Sequence, residues 1–200
     1  MRVIVVGATG TIGKSVVKLL ASEHDVVKVA LKSGDFRVDM SQKESIEKMF
    51  KEVGSFDALV CAAGVARFGP LSELSDEDFQ LGLSGKLMGQ VNLVRVGVDY
   101  ISDNGSFTLT SGVLSQQPMP GSSSISMVNA GIEGFGRAAA LEMQRGIRIN
   151  VVSPPWVKET LEALGMDTSS GMPAERVAQA YRASISGTRS GNVINARDFA

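Results

Sequence analysis

The chain has 200 residues, 44% of them apolar and 20% charged, which is enough for one ordinary domain that removes roughly 70% of its unfolded surface from water. Twenty basic residues against 21 acidic ones leave a net charge of -1, so no field draws in nucleic acid or a membrane surface. The single cysteine, Cys61, cannot form an internal disulfide, and the single histidine, His24, lies in the polar stretch SEHDV, which argues against histidine acid–base chemistry and metal sites.

No window approaches the ~20 apolar residues of a membrane span, and the apolar run in MRVIVVGATG is too short for a signal-peptide core. A cytoplasmic protein is expected. In chain order, RVIVV reads as a buried strand, and TIGKSVVKLLASE as a helix with Ile12, Val16, Val17, Leu19 and Leu20 inward. DVVKVAL is a second strand, and SQKESIEKMFKEV is a helix whose Ser41 and Glu44 have the spacing of a capping box. Strand DALVCAA, a long helix from about Ser75 to Ile101, strand GSFTLTS and a helix from about Ser123 to Met143 follow. Strand RINVVSP, helix AERVAQAYRASI and strand GNVINA complete the chain.

Strands that recur after whole helices imply right-handed crossovers and a mostly parallel sheet of six or seven strands. The expected fold is a single doubly wound, Rossmann-type α/β domain over residues 1–200. One connection breaks the pattern, because only about three residues, KSG, separate the second strand from DFRVDM, whereas a parallel crossover takes a dozen or more. Phe36 to Val38 is therefore expected to pair antiparallel as an edge hairpin, or to stay irregular.

GATGTIG follows the first strand and opens the first helix, with glycines at 7, 10 and 13. Glycine permits a sharp turn and close approach of a diphosphate, while the free amides at the helix start stabilise its charge. Gly7, Thr9, Gly10, Thr11, Ile12 and Gly13 are the expected dinucleotide cradle. An acidic side chain at the end of the second strand would bind the ribose hydroxyls of NAD; ALKSG offers Lys32 and Ser33 instead, which favours NADP and leaves NAD possible. The alternative for Lys32 is a solvated turn lysine.

With this motif in place, the chain resembles the short-chain dehydrogenase/reductase family over nearly its whole length. DALVCAAG is similar to the family element that lies beside the adenosine ribose, which implies that role for Ala62, Ala63 and Gly64. FRVDM resembles the family's third-strand motif and implies an adenine contact for Asp39. GSFTLTSG resembles the strand that ends in the catalytic serine, here Ser111, and GIRINVVSPPWV implies that Pro154, Pro155 and Val157 lie against the nicotinamide, with Pro155 where glycine is usual.

The resemblance also exposes two departures. The family's proton-donating tyrosine and its lysine four residues on fall on Ile125 and Asn129, between the landmark Pro120-Gly121 and AGIEGF. The family's asparagine on the long helix falls on Lys86. The two residue types look exchanged across the site, so that Lys86 and Asn129 would position the nicotinamide ribose or stabilise an oxyanion; the alternative is that Lys86 is a surface lysine. Ser122, Ser123, Ser124 and Ser126 lie near the tyrosine position and could orient a substrate, although an alcohol is a far weaker acid than a phenol. Tyr100 and Tyr181 read as packed helical side chains, and Cys61 as a small core residue.

Trp156 reads either as a wall of the nicotinamide side or as loop packing. The stretch KETLEALGMDTSSGM is a short lid with a mobile tip at Ser169, Ser170 and Gly171, which implies a small substrate or an open site. Two functions remain open: an NADP-linked short-chain oxidoreductase acting on a small carbonyl or alcohol, or a dinucleotide-binding redox sensor or scaffold without turnover. Neither implies a metal. Either is expected to form a homodimer or homotetramer through the helices around QVNLVRVGVDY and GIEGFGRAAALE.

Overall fold

Along the first strand, β1 (Arg2–Val6), Val3 and Val5 point to one side of the sheet and Ile4 and Val6 to the other, and all four are buried. A strand with two buried faces must lie between two helical layers. The computed structural model, which describes residues 1–199, has that arrangement: seven strands in the order β3-β2-β1-β4-β5-β6-β7, parallel at every pairing.

The remaining strands are β2 (Asp25–Ala30), β3 (Phe36–Arg37), β4 (Phe56–Cys61), β5 (Ile101–Thr110), β6 (Arg148–Ser153) and β7 (Val193–Asn195). One face packs on α1 (Thr11–Leu20) and α7 (Ala174–Ser186), through Val16, Leu20, Val177 and Tyr181. The other packs on α2 (Lys43–Val53), α4 (Gly89–Gly97) and α5 (Ser123–Glu142), through Phe50, Leu93 and Ile132. Each such side chain contributes about 1.5–3 kcal/mol by leaving water. Strand order reverses between β1 and β4, and in open parallel sheets that switch point opens a crevice at the carboxyl ends of the strands.

Three local expectations are corrected. Phe36 and Arg37 pair with Val29 and Ala30 in parallel, not as a hairpin. No crossover helix is needed because the loop doubles back on itself: the Asp35 carboxylate accepts the Lys28 amide at 2.8 Å and the Asp35 amide donates to the Lys28 carbonyl at 2.8 Å. The chain thus returns to the outer edge of β2, beside its last residues, within a few residues.

The capping box on Ser41 and Glu44 does not form. Helix α2 starts after Gln42, because the Ser41 hydroxyl is turned back onto the Asp39 carboxylate at 2.7 Å. A reciprocal box forms instead between Ser75 and Asp78 at the start of α3 (Asp76–Leu81).

The long helix from Ser75 to Ile101 is divided. A π-helical segment, Gly82–Met88, separates α3 from α4, and α4 ends at Gly97. Strand β5 begins at Ile101 and not at Gly105: Ile101 pairs with Phe56, and the register then shifts before Ser106 pairs with Ala58. Asn104 takes a left-handed conformation, φ 60°, inside this bulged lead-in.

Candidate functional site

The crevice begins at the glycine turn. The amides of Gly7 and Ala8 both donate to the Val29 carbonyl, at 2.8 and 3.1 Å, which binds the turn to β2. A Cβ on Gly7 would lie 2.6 Å from the Ala62 carbonyl oxygen, and one on Gly13 would lie 1.9 Å from the Gly7 oxygen. Side chains are excluded at both places so that α1 can press against the carboxyl ends of β1 and β4.

Gly10 caps α1 with no side-chain acceptor, and the helix's first turn has no acidic residue. Its amides are therefore free to receive an anion, as the family's dinucleotide diphosphate requires. Thr9, Gly10 and Thr11 are exposed at this turn.

Two adjoining cavities of about 300 and 240 Å³ continue from it and share Ala63 and Gly64. The first is lined by Gly7, Ala30, Leu31, Val38 and Asp39. The Asp39 carboxylate is engaged by the amide and hydroxyl of Ser41, at 3.0 and 2.7 Å. Lys32 and Ser33 line neither cavity; both are exposed in the loop after β2. Asp35, the acid of that loop, is held by the Lys28 amide.

The second cavity brings together Ile12, Ala62, Lys86, Ser111, Asn129, Pro154, Pro155 and Val157. Gly13 stands behind it in the packing of α1. Ile125, where the resemblance puts the family's tyrosine, lines the same cavity, whereas Ser122 and Ser126 bond to each other at 3.0 Å outside it. Trp156 forms part of the wall and meets Phe68 edge-on, ring centroids 6.4 Å apart, across two facing loops. A short helix, α6 (Lys158–Ala163), follows, and the lid is tied at its base by a bridge between Val157 and Met172.

Lys86 comes from the π-helical segment, and the local widening of that turn carries its side chain along the floor of the cleft. Its Nζ donates to Asn129 Oδ1 at 2.6 Å and to the Ser111 carbonyl at 3.4 Å. Lys86 is thus a cleft lysine and not a solvated surface residue. Burial lowers its pKa from the ordinary lysine value to about 8. Gly64 makes room for it: at φ 130° a Cβ there would lie 2.5 Å from Lys86 Cγ.

Around Ser111 the structure shows a residue that motif reading passes over. Glu133 is 4% exposed, on α5 one helical turn beyond Asn129. Its Oε1 is 3.0 Å from Ser111 Oγ and 2.5 Å from Ser115 Oγ, and its Oε2 accepts Gln116 Nε2 at 3.3 Å. The signal in the sequence is a lone acid in the small and apolar stretch NAGIEGFG, on the same helical stripe as Ile125 and Asn129.

Cys61 is fully buried, and burial pushes its thiol up to about 12, so it is no nucleophile. Tyr181 is likewise fully buried, bonded at 2.7 Å to Thr110, and its burial raises its pKa further from use as an acid. Among the described residues no helix is long and apolar enough to cross a membrane.

Comparison with known proteins agrees with this geometry. The family model described as "Enoyl-(Acyl carrier protein) reductase" matches residues 1–190. The 3-oxoacyl-[acyl-carrier-protein] reductase FabG of Thermotoga maritima is 31% identical over 119 residues, 58% of this chain and 48% of that protein. The chain thus spans about half the length of that curated relative.

Among solved structures, protein lin1944 of Listeria innocua superposes with a TM-score of 0.94 at 40% identity over 98% of both chains. A small-chain dehydrogenase in complex with NADPH superposes with a TM-score of 0.88 at 29% identity, covering 98% of this chain and 95% of that one. A match over residues 1–190, with the strand order and cleft described above, places this chain in the short-chain dehydrogenase/reductase family.

Proposed function

We propose that the protein is an NADPH-linked reductase of a small, uncharged carbonyl compound, working without the family's tyrosine. The observation that carries this reading is the Lys86–Asn129 pair beside Ser111, at the far end of a cleft that begins on the uncapped start of α1. A half-buried ammonium beside a serine hydroxyl on that floor costs stability unless it is used, which favours retained chemistry.

The residues fit the cofactor. The turn at Gly7 to Gly13 would hold the diphosphate, the cavity at Asp39 and Leu31 the adenine side, and Ile12, Pro154, Pro155 and Val157 the nicotinamide side. In the loop after β2 the Asp35 carboxylate is turned onto the Lys28 amide, while Lys32 and Ser33 stand exposed there for NADP. The nicotinamide supplies the hydride when bound.

The chain's own residues do the rest. Lys86 and Asn129 hold the ribose hydroxyls, Ser111 orients the substrate oxygen, and Val113, Leu114, Ile125 and Trp156 exclude water around an apolar body. Among the described residues Lys86 is the one charged side chain in the lining, and it is engaged by Asn129, so the rest of the cavity is apolar or neutral. The same reading takes the protein as cytoplasmic and self-associating through α4 and α5; Met88, just before α4, and Met127 and Leu141 on α5 are exposed.

Consumption of NADPH against small aldehydes, ketones and quinones tests the proposal. Turnover of at least one is expected; tight NADPH binding with no turnover of any would favour a dinucleotide sensor instead.

A further inference from the structure

Hydrogen counting around Glu133 gives one result beyond this reading, while resting on it. Ser115 Oγ lies 2.9 Å from the Gly112 carbonyl and 2.5 Å from Glu133 Oε1, yet the hydroxyl has one hydrogen and both neighbours are acceptors when the carboxyl is ionised. Oε1 also faces Ser111 Oγ at 3.0 Å, so one oxygen of the carboxyl meets both serine hydroxyls, and a proton on it passes to one of them at a time. The Ser111 hydroxyl donates to Glu133 Oε1 at 3.0 Å, so its oxygen stands between the carboxyl and the cleft.

We propose that Glu133 is a proton-relay and positioning residue that acts through Ser111, in place of the absent tyrosine. Ser111 is buried at the cleft floor, and Glu133 is buried behind it. Beyond Glu133 stand the exposed side chains of Gln116, at 3.3 Å, and Arg137, at 3.9 Å. The carboxyl therefore joins the cleft to solvent on the other side of the wall.

The step balances with NADPH as the reductant. As the carbonyl carbon gains hydride, the C=O π pair moves to oxygen, which takes the Ser111 hydroxyl proton. The Ser111 oxygen takes the proton of Glu133, and the resulting carboxylate is reprotonated from water at the Gln116 edge. The sum is carbonyl plus NADPH plus a proton giving alcohol plus NADP. The groups facing Glu133 are Arg137 on its own helix, Ser111 from the end of β5, and Ser115 and Gln116 from the turn that follows; Lys86 is one step further, through Asn129. Reduction needs the protonated carboxyl and so falls as pH rises, while alcohol oxidation needs the carboxylate and rises.

The test has one arm without cofactor and one with it. In cofactor-free protein carrying carbon-13 glutamate, the carboxyl carbon of Glu133 should titrate with a midpoint that moves up in Ser111→Ala, because a donor to the charged form is lost. An unmoved midpoint overturns the relay whatever the turnover. In the second arm, Glu133→Gln should bind NADPH as the parent does, lose about a hundredfold in carbonyl reduction, and lose the descending alkaline limb of its pH profile. Glu133→Asp, which keeps the acid, should recover part of the rate and the limb. Parent-like rate and pH profile in Glu133→Gln overturn the relay and leave the proposed function standing; absence of turnover in the parent overturns both.

Discussion

Lys86 Nζ donates to Asn129 Oδ1 across 2.6 Å, joining the π-helical turn on one wall of the cleft to the middle of α5 on the other. The resemblance puts the family's lysine where Asn129 stands and its asparagine where Lys86 stands, and on the proposed exchange this bond joins the two. If the exchange conserves the charge beside the ribose, Lys86→Asn should weaken NADPH binding by about tenfold or more, the loss expected for a charge-assisted hydrogen bond. The double variant Lys86→Asn with Asn129→Lys should recover most of it. Fluorescence titration of the parent, both single variants and the double variant gives the coupling directly; equal affinity in all four would contradict the exchange.

Burial of Lys86 makes stability depend on pH in a defined direction. Its pKa falls from an ordinary 10.5 to about 8 in the folded protein, so between those values the unfolded chain binds more protons at this site. Its contribution to stability therefore rises with pH through that window. Lys86→Met removes the effect. Denaturant melts at pH 7 and pH 10 should show the parent gaining on the variant at the higher pH, and an unchanged difference would mean that the ammonium is solvated.

Gly64→Ala should damage binding through Lys86 without touching the cofactor turn. The new methyl would meet Lys86 Cγ at 2.5 Å, from a backbone conformation that favours glycine. The expected cost is about 1–3 kcal/mol in thermal or denaturant stability, with a loss of NADPH affinity comparable to that of Lys86→Asn. Calorimetric melting and NADPH titration of the same preparation measure both.

Tyr181→Phe separates structure from chemistry. The phenol is 0% exposed and bonds only within the core, to the Thr110 hydroxyl at 2.7 Å. Its removal should cost about 1 kcal/mol of stability and leave turnover per folded molecule unchanged. A large loss of turnover per folded molecule would contradict a purely structural role for Tyr181.

The parts of the fold visible in the sequence are those where one pattern dominates: buried β-branched runs for the inner strands, three glycines at the first turn, and the order of motifs that leads to Ser111. The edge is not visible there. Whether Phe36 and Arg37 run parallel depends on Asp35 folding back onto Lys28, a contact that no periodicity reports. The π-helical segment hides for the same reason, since GLSGKLM reads as ordinary helix and its widened turn shows only in three dimensions.

At the site, the departures at residues 86 and 129 point to two side chains that the structure brings together. Glu133 escapes because a single acid on a helix ordinarily reads as solvated, and its burial comes from the turn after β5 closing over it. Lys32 and Ser33 are suggested by position along the chain, yet they stand outside both cavities.

Acceptance of a reduced nicotinamide dinucleotide by the cleft is the claim on which the others depend, and calorimetric titration of the purified protein with NADPH measures it. One site per chain is expected, with weaker binding of NADH and a further loss in Lys86→Asn. No heat with NADPH or NADH from protein that melts cooperatively would contradict it.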